Sequence, residues 1–341
     1  MNIFIMKDLF PKEHFKSWQK AVEQSRKILL ATHVNPDGDA IGALMGLGGF
    51  LKKEGFEVTL VSPTKYPAFL SFLDPDNEIL IYSQDSQSVE HAIDEADLIV
   101  ALDVSGFSRM EALGKIMLRA DAFKILIDHH TDPADHEFDL VFSTTRISST
   151  CELTYCVIKA WKEDAVFSKD QANAFLAGII TDTNQFANSV YPGTFRVTSR
   201  LVAFGADTEF IYDRIYRNFS YNRMRLMGYA LQNIRVLPEF KCGYIVLTRD
   251  VLEKYGYNNG DTESFVNLPL AISGISISAF FLQRTDHIKV SLRSKGDIPV
   301  NEIARKFFQG GGHLNASAGK MTDSTEAIEP LLKKALGTII A

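Results

Sequence analysis

Three cysteines among 341 residues, Cys151, Cys156 and Cys242, have no C-x-x-C spacing and form no disulfide framework. That poverty points to a reducing cytoplasm rather than export. A long uncharged apolar run is also missing. The N-terminal MNIFIMKDLF lacks the core that a signal peptide or membrane helix needs, so no membrane association is expected. Nor is there an excess of positive charge. A formal net charge of −6 argues against wrapping long duplex nucleic acid, which takes many phosphate-neutralising Lys and Arg. A short nucleotide in a local basic pocket is still compatible with it. No internal repeat and no low-complexity tract occurs. What is left, 46% hydrophobic and 23% charged, is the composition of a soluble globular protein. Its length exceeds one ordinary core, so two domains are expected.

Along the chain, residues 10–25 read as an amphipathic helix and residues 28–32 as a short buried strand. Pro36 and Gly38 punctuate a turn. A helix then starts at Asp39 or Ala40, capped by Asp39 or by the turn itself, and ends near Gly55. Its Gly42, Gly46, Gly48 and Gly49 make sense if it lies close against the sheet or a ligand. Strands are expected over 57–62, 97–104, 124–127 and 139–144, and helices over 89–95, 110–118, 149–163 and 169–180. Ser148-Ser149-Thr150-x-Glu152 suits a helix cap. This alternation predicts an α/β domain with a mainly parallel sheet and helices on both faces. Residues 194–236 read as helical, without strands. Beyond Cys242 the pattern turns to strands over 243–247, 276–284 and 288–294, then a helix over 300–308 and a glycine run. That is a smaller mixed α+β domain. The expected divisions are 1–195, a helical linker 196–238, and 239–341.

Four segments carry the chemistry. His33, Asp37 and Asp39 follow the first strand, Asp103 ends IVALDVS, Asp128-His129-His130 ends ILIDHH, and Asp182 lies in GIITDTN. Read as four strand ends, they converge on one divalent-metal site beside a helix N-terminus. Carboxylates with some imidazole suit manganese, magnesium or iron rather than thiolate-loving metals. Asp37 and Asp39, two apart across a tight turn, can each serve one of two ions. Asp103 is placed to bridge them, because two-metal hydrolytic sites hold their ions about 3.5–4 Å apart. Asp37, Asp39, Asp103 and Asp182 balance two divalent cations and repel one another without them, so metal loading should add to stability. Any one of these residues alone is as well explained as a loop or cap residue. The ordered set is not.

The motifs HVNPDGDA, LDVS, DHH and GIITDT resemble, in order, those of the DHH phosphoesterases. The late GGGH resembles their DHH-associated substrate domain, and the likeness spans nearly the whole chain. SLRS with GGGH and a single linker is similar to the nanoRNase/pAp phosphatase (NrnA-type) branch. The resemblance implies that His33, Asp37 and Asp103 ligate one metal and Asp39, Asp103, His129 and Asp182 a second. Two divalent ions are implied, with manganese foremost and magnesium or iron as alternatives. His130 would face the substrate phosphate and Asp128 would orient the imidazoles or the loop, which makes His130, Asp103 and Asp128 the catalytic candidates. Ala43 departs from the serine of many relatives, which bears on packing or phosphate contact.

On the substrate side, Gly310, Gly311 and Gly312 offer backbone N–H groups to a phosphate, and His313 adds a titratable donor. Arg293, in Ser291-Leu292-Arg293-Ser294 on a strand facing that loop, suits a bidentate phosphate clamp. Arg109 either reaches a terminal phosphate or is a solvated helix-end arginine. Tyr212, Tyr216 and Tyr221 either stack on bases or, as such spacing more often means, pack a helix. The expected substrates are short oligoribonucleotides or 3′-phosphoadenosine 5′-phosphate, selected by closure of the second domain over the cleft. The rivals are a phosphodiesterase of c-di-AMP or pApA and, outside enzymes, a nucleotide-sensing or RNA-binding module with a vestigial metal site. The expected partners are a short RNA or small nucleotide and, as an option, a second copy of the chain in a homodimer.

Overall fold

The structure, a computed structural model, describes residues 9–339. The reading of residues 1–8 as free of a signal or membrane segment lies outside the described residues, as do the outermost ends of the expected domains. Two compact units divide the chain, Met1–Asn218 and Phe219–Ala341. The division falls inside the stretch read as a linker. Among the described residues no helix is long and apolar enough to cross a membrane.

The first unit runs α1 (Lys12–Gln24), β1 (Lys27–Ala31), α2 (Gly38–Lys53), β2 (Glu57–Ser62), β3 (Ile79–Ile81), α3 (Ser86–Glu95), β4 (Leu98–Leu102), α4 (Glu111–Arg119), β5 (Phe123–Asp128), β6 (Leu140–Ser143), α5 (Thr150–Trp161), α6 (Lys169–Asp182), α7 (Pro192–Ala203) and α8 (Thr208–Tyr216). Its six strands form a wholly parallel sheet in the order β3-β2-β1-β4-β5-β6. The strands read as unbroken apolar runs because both faces are covered. Ile28 and Leu30 enter one core with Trp18, Leu44, Leu153 and Phe175. Leu29 and Ala31 enter the other with Val89, Ile93, Leu113 and Met117. Each buried Val, Leu, Ile, Phe or Met side chain among these contributes about 1.5–3 kcal/mol. Tyr212 and Tyr216 of α8 pack against the first core, as helix packing requires.

Chain order reverses between β1 and β4. Open parallel sheets bind ligands outside the carboxyl ends of the strands at such a switch point. The loops leaving these two strands carry His33, Asp37 and Asp103.

One local reading is decided in favour of the turn, and two need correction. The cap of α2 is Asp37, whose Oδ1 accepts from the N–H of Asp39 at 3.0 Å and of Ala40 at 3.1 Å; Asp39 itself lies in the first turn. Gly42 and Gly46 face α6 and only Gly48 meets the sheet, at Leu60. Asp182 is not at a strand end. It is the last residue of α6, because the AFLAGIITD run is a buried helix rather than a strand.

The second unit continues α9 (Tyr221–Gln232), β7 (Arg235–Leu237), β8 (Cys242–Leu247), α10 (Arg249–Lys254), β9 (Ile277–Gln283), β10 (Ile288–Ser294), α11 (Val300–Phe307), β11 (Gly311–His313), β12 (Ala316–Met321) and α12 (Ile328–Leu336). Its mixed sheet has the order β11-β12-β10-β9-β8-β7, parallel only at β8–β9. One face packs on α11 and α12 through Ile303, Leu332 and Leu336, the other on α9 through Leu226 and Ala230. β7 falls inside the stretch read as strandless; three residues are too few for a periodicity to show. Gly311–His313 of the glycine run form an edge strand rather than a loop. A Cβ on Gly310 would lie 1.9 Å from the Ala318 carbonyl oxygen, so its bareness has a packing reason of its own.

Candidate metal centre

Three helix ends and three strand ends meet at one point of the first unit. β1 delivers His33, whose Nδ1 lies 2.8 Å from the Val34 carbonyl oxygen. With Nδ1–H donating there, Nε2 is left facing Asp103 Oδ2 at 3.5 Å. Asp103 follows β4 in a left-handed conformation, φ 59°, with its N–H donating to Ile127 at 3.1 Å. That bond ties it beside the Asp128-His129-His130 segment at the end of β5. His129 Nε2 lies 3.6 Å from Asp103 Oδ1, 3.9 Å from Asp39 Oδ2 and 3.5 Å from Asp182 Oδ2.

The donors fall into overlapping trios whose atoms lie within 4.8 Å of one another: His33, Asp37 and Asp103; Asp39, His129 and Asp182; and Asp103, His129 and His130. Oxygen and imidazole nitrogen in this proportion fit hard or borderline divalent cations. Asp37 and Asp39 belong to different trios, and Asp103 belongs to two of the three.

The electrostatics point the same way. Burial, then the charges of Asp103 and Asp37, raises the Asp39 carboxyl well above the usual carboxylate range. Burial followed by Asp39, Asp37 and Asp103 does the same to Asp182. Asp182 also sits at the negative end of the α6 dipole, where a carboxylate is disfavoured. Burial works against the Asp103 anion too, but the His33 hydrogen bond and the charges of His130, His33 and His129 outweigh it and hold Asp103 low. Burial disfavours the His130 cation as well. The hydrogen bond from Nδ1 to Asp128 Oδ1 at 2.7 Å, with the charges of Asp103 and Asp128, overcomes this and pushes its pKa up to about 9. Asp128 also accepts the His130 N–H at 3.1 Å, so it fixes both the ring and its loop.

Sequence reading missed the N-terminus of α5. Thr150 and Cys151 donate their N–H groups to Asp39 Oδ2 and Oδ1 at 2.6 and 2.9 Å, and the Thr150 hydroxyl donates to Asp103 Oδ1 at 3.0 Å. Ser149 caps this helix through the Glu152 N–H, as expected. The Ser148-Ser149-Thr150 signal revealed the cap but not its target. Gly178 of α6 closes the cluster from the third side: a Cβ there would lie 2.2 Å from Cys151 Sγ and 2.8 Å from Asp39 Oδ1.

Arg109 lies exposed in a single 3₁₀ turn after β4. Its carbonyl accepts the Val34 N–H at 3.1 Å, and its charge bears on His130. In the second unit, Ala316 of β12 pairs with Arg293 of β10 and with His313 of β11. Arg293 and His313 therefore stand on one face of the sheet, two strands or about 10 Å apart. Arg293 is half-buried, with Nη1 donating to the Leu292 carbonyl at 2.9 Å.

Comparison with known proteins shows the family. Residues 27–179 match the DHH family, N-terminal domain, and residues 243–340 match the DHHA1 domain. The bifunctional oligoribonuclease and PAP phosphatase NrnA of Thermus thermophilus is 34% identical over 92% of this chain and 90% of its own. The protein of the same name from Bacillus subtilis is 30% identical over 88% and 91%. The crystal structure of an exopolyphosphatase-related protein from Bacteroides fragilis superposes with a TM-score of 0.93 at 36% identity, covering 96% of each chain. With its motifs, its switch-point centre and these matches, the chain belongs to the DHH family of phosphoesterases.

Proposed function

We propose that this chain hydrolyses the phosphoester bonds of short oligoribonucleotides and of 3′-phosphoadenosine 5′-phosphate, using two divalent ions, manganese foremost. The observation that carries the reading is the sharing of Asp103: one carboxylate faces His33 at 3.5 Å and His129 at 3.6 Å, from two different trios. His33, Asp37 and Asp103 would hold one ion and Asp39, Asp103, His129 and Asp182 the other. The names of the Thermus and Bacillus relatives supply the substrates.

A bound cation pair supplies electrostatic stabilisation of the phosphate and a water acidified toward neutral pH. Net hydrolysis would place the water's oxygen on phosphorus, break the P–O ester bond and pass the water's proton to the leaving oxygen. His130, held in place by Asp128, would offset charge growing on the non-bridging oxygens. Arg109 adds a cation near His130. Thr150 holds the Asp103 carboxylate in place, and the α5 N-terminus does the same for Asp39. In the second unit, Arg293, His313 and the backbone of Gly310, Gly311 and Gly312 are the proposed anion-binding groups.

The test is a manganese panel of pAp, short RNA, short DNA, c-di-AMP, pApA and pyrophosphate, with wild type and Asp103→Ala. Turnover of pAp and short RNA, abolished in a folded Asp103→Ala, is the expected result. Preference for c-di-AMP would replace the substrate class, and binding without turnover would favour a sensor. Full activity in Asp103→Ala would end the shared-carboxylate reading.

A further inference from the structure

Immediately past Asp182 the backbone adopts an unusual conformation. Asn184, Gln185 and Phe186 hold φ values of 47°, 62° and 65° in succession. Left-handed residues normally occur singly; Asn tolerates the region, whereas Gln and Phe do not favour it. A chain that needed only to end α6 would place a glycine here. The turn is pinned by the body of the unit. Gln185 N–H donates to the Ile180 carbonyl at 2.8 Å, Asn188 N–H to the Thr183 carbonyl at 2.9 Å, and Phe186 N–H to Oγ1 of the buried Thr183 at 2.9 Å. The Phe186 ring stacks on Phe195 at 5.7 Å and 20°. Asn184 and Gln185, in contrast, are exposed, and among the described residues neither side-chain amide has a partner.

We propose that Asn184 and Gln185 are specificity residues that hydrogen-bond the ribose 2′-hydroxyl of the nucleotide whose phosphate occupies the metal centre, so that RNA is favoured over DNA. The assignment rests on the phosphoesterase reading above. The ester oxygen of a phosphate held at the centre leads directly to a ribose carbon. The sugar is therefore the substrate group next to the centre, and Asn184 and Gln185 stand two and three positions beyond Asp182 in the chain. A primary amide both donates and accepts, as a hydroxyl does. A contact to a base edge would restrict the sequence cleaved, whereas the 2′-hydroxyl is common to every ribonucleotide and absent from DNA. Strain beside a reactive centre keeps contact groups in place before the substrate arrives.

The test compares kcat/KM for a 5′-phosphorylated ribodinucleotide and its 2′-deoxy counterpart, with manganese, in wild type, Asn184→Gly and Gln185→Gly. Glycine adopts the left-handed backbone freely, so both variants keep the turn, and a thermal midpoint no lower than wild type verifies it. Wild type should prefer the ribodinucleotide. Each variant should lose about tenfold on it, the worth of one hydrogen bond, while the deoxy rate falls less than about twofold. Equal losses on both sugars, no loss on either, or a wild type indifferent to the sugar would overturn the assignment. A wild type that turns over neither probe would instead overturn the phosphoesterase reading, together with what rests on it.

Discussion

The Thr150 N–H lies 2.6 Å from Asp39 Oδ2, across 111 positions of chain. Asp39 thus stands at the positive ends of two helices, its own α2 and the facing α5, and each favours its ionised form. This offsets part of the burial that otherwise pushes its proton affinity up. The Thr150 hydroxyl meanwhile reaches Asp103 at 3.0 Å, so a single residue steadies a carboxylate in each half of the cluster.

Thr150→Val keeps the backbone contact to Asp39 and removes only the hydroxyl bond to Asp103. Supporting hydrogen bonds of this sort are worth about 10–100-fold in metal affinity. A manganese titration of activity should therefore shift to higher concentration by about that factor, with the fold intact. An unshifted titration would show that Asp103 is positioned without Thr150.

Gly178→Ala forces a methyl group to 2.2 Å from Cys151 Sγ and 2.8 Å from Asp39 Oδ1. Overpacking of this kind costs about 1–3 kcal/mol. Denaturant unfolding should show that loss along with weaker activity. Adding Cys151→Ala should restore part of the stability and little of the activity, because the push on Asp39 persists.

Metal removal should act on the first unit alone. Asp37, Asp39, Asp103 and Asp182 crowd one pocket, and all six proposed ligands lie before Asn218. An ion at a hundred times its Kd stabilises by about 2.7 kcal/mol, or roughly 5–10 °C for a unit of this size. Calorimetry with and without a chelator should move one transition by that much and leave the second unit's in place. A shift of both, or of neither, contradicts the assignment.

The pH dependence of stability has one clear contributor outside the centre. Asp97 accepts the N–H groups of Arg26 and Lys27, each at 2.8 Å, at the start of β1. The Lys27 and then the Arg26 bond hold its pKa below the usual value. Its stabilisation is thus fully present above the unfolded pKa of about 3.9 and is lost as pH falls through the lower folded value. Asp97→Asn should be less stable than wild type at pH 7, and the gap should close toward pH 2 in denaturant titrations.

Much of this was legible because its signals are local. Apolar runs gave five of the six strands of the first sheet, the three-residue β3 being too short to read, and Asp or His after three of them gave most of the proposed ligands. What failed was relational. The helix over 169–180 was legible, yet Asp182 was grouped with the strand ends, although it is the last residue of that same helix. The Thr150 contact to Asp39 depends on two helices facing each other from distant parts of the chain, which no spacing encodes. Gly310–Gly312 looked like a phosphate cradle from composition, yet the backbone approach of Gly310 to Ala318 already explains one of those glycines. Asn184, Gln185 and Phe186 carried no signal at all, since nothing in those residue types announces a left-handed backbone.

The position of Asp182 at the very end of α6 has a consequence for how the molecule matures. A ribosome must release nearly two hundred residues before the final acidic group can join those placed long before it. Until then the earlier donors have no partner on that side, and a nascent or truncated chain lacks a complete catalytic pocket. On the proposed ligand assignment, a chain that stops short of Asp182 would lack one donor to the second ion.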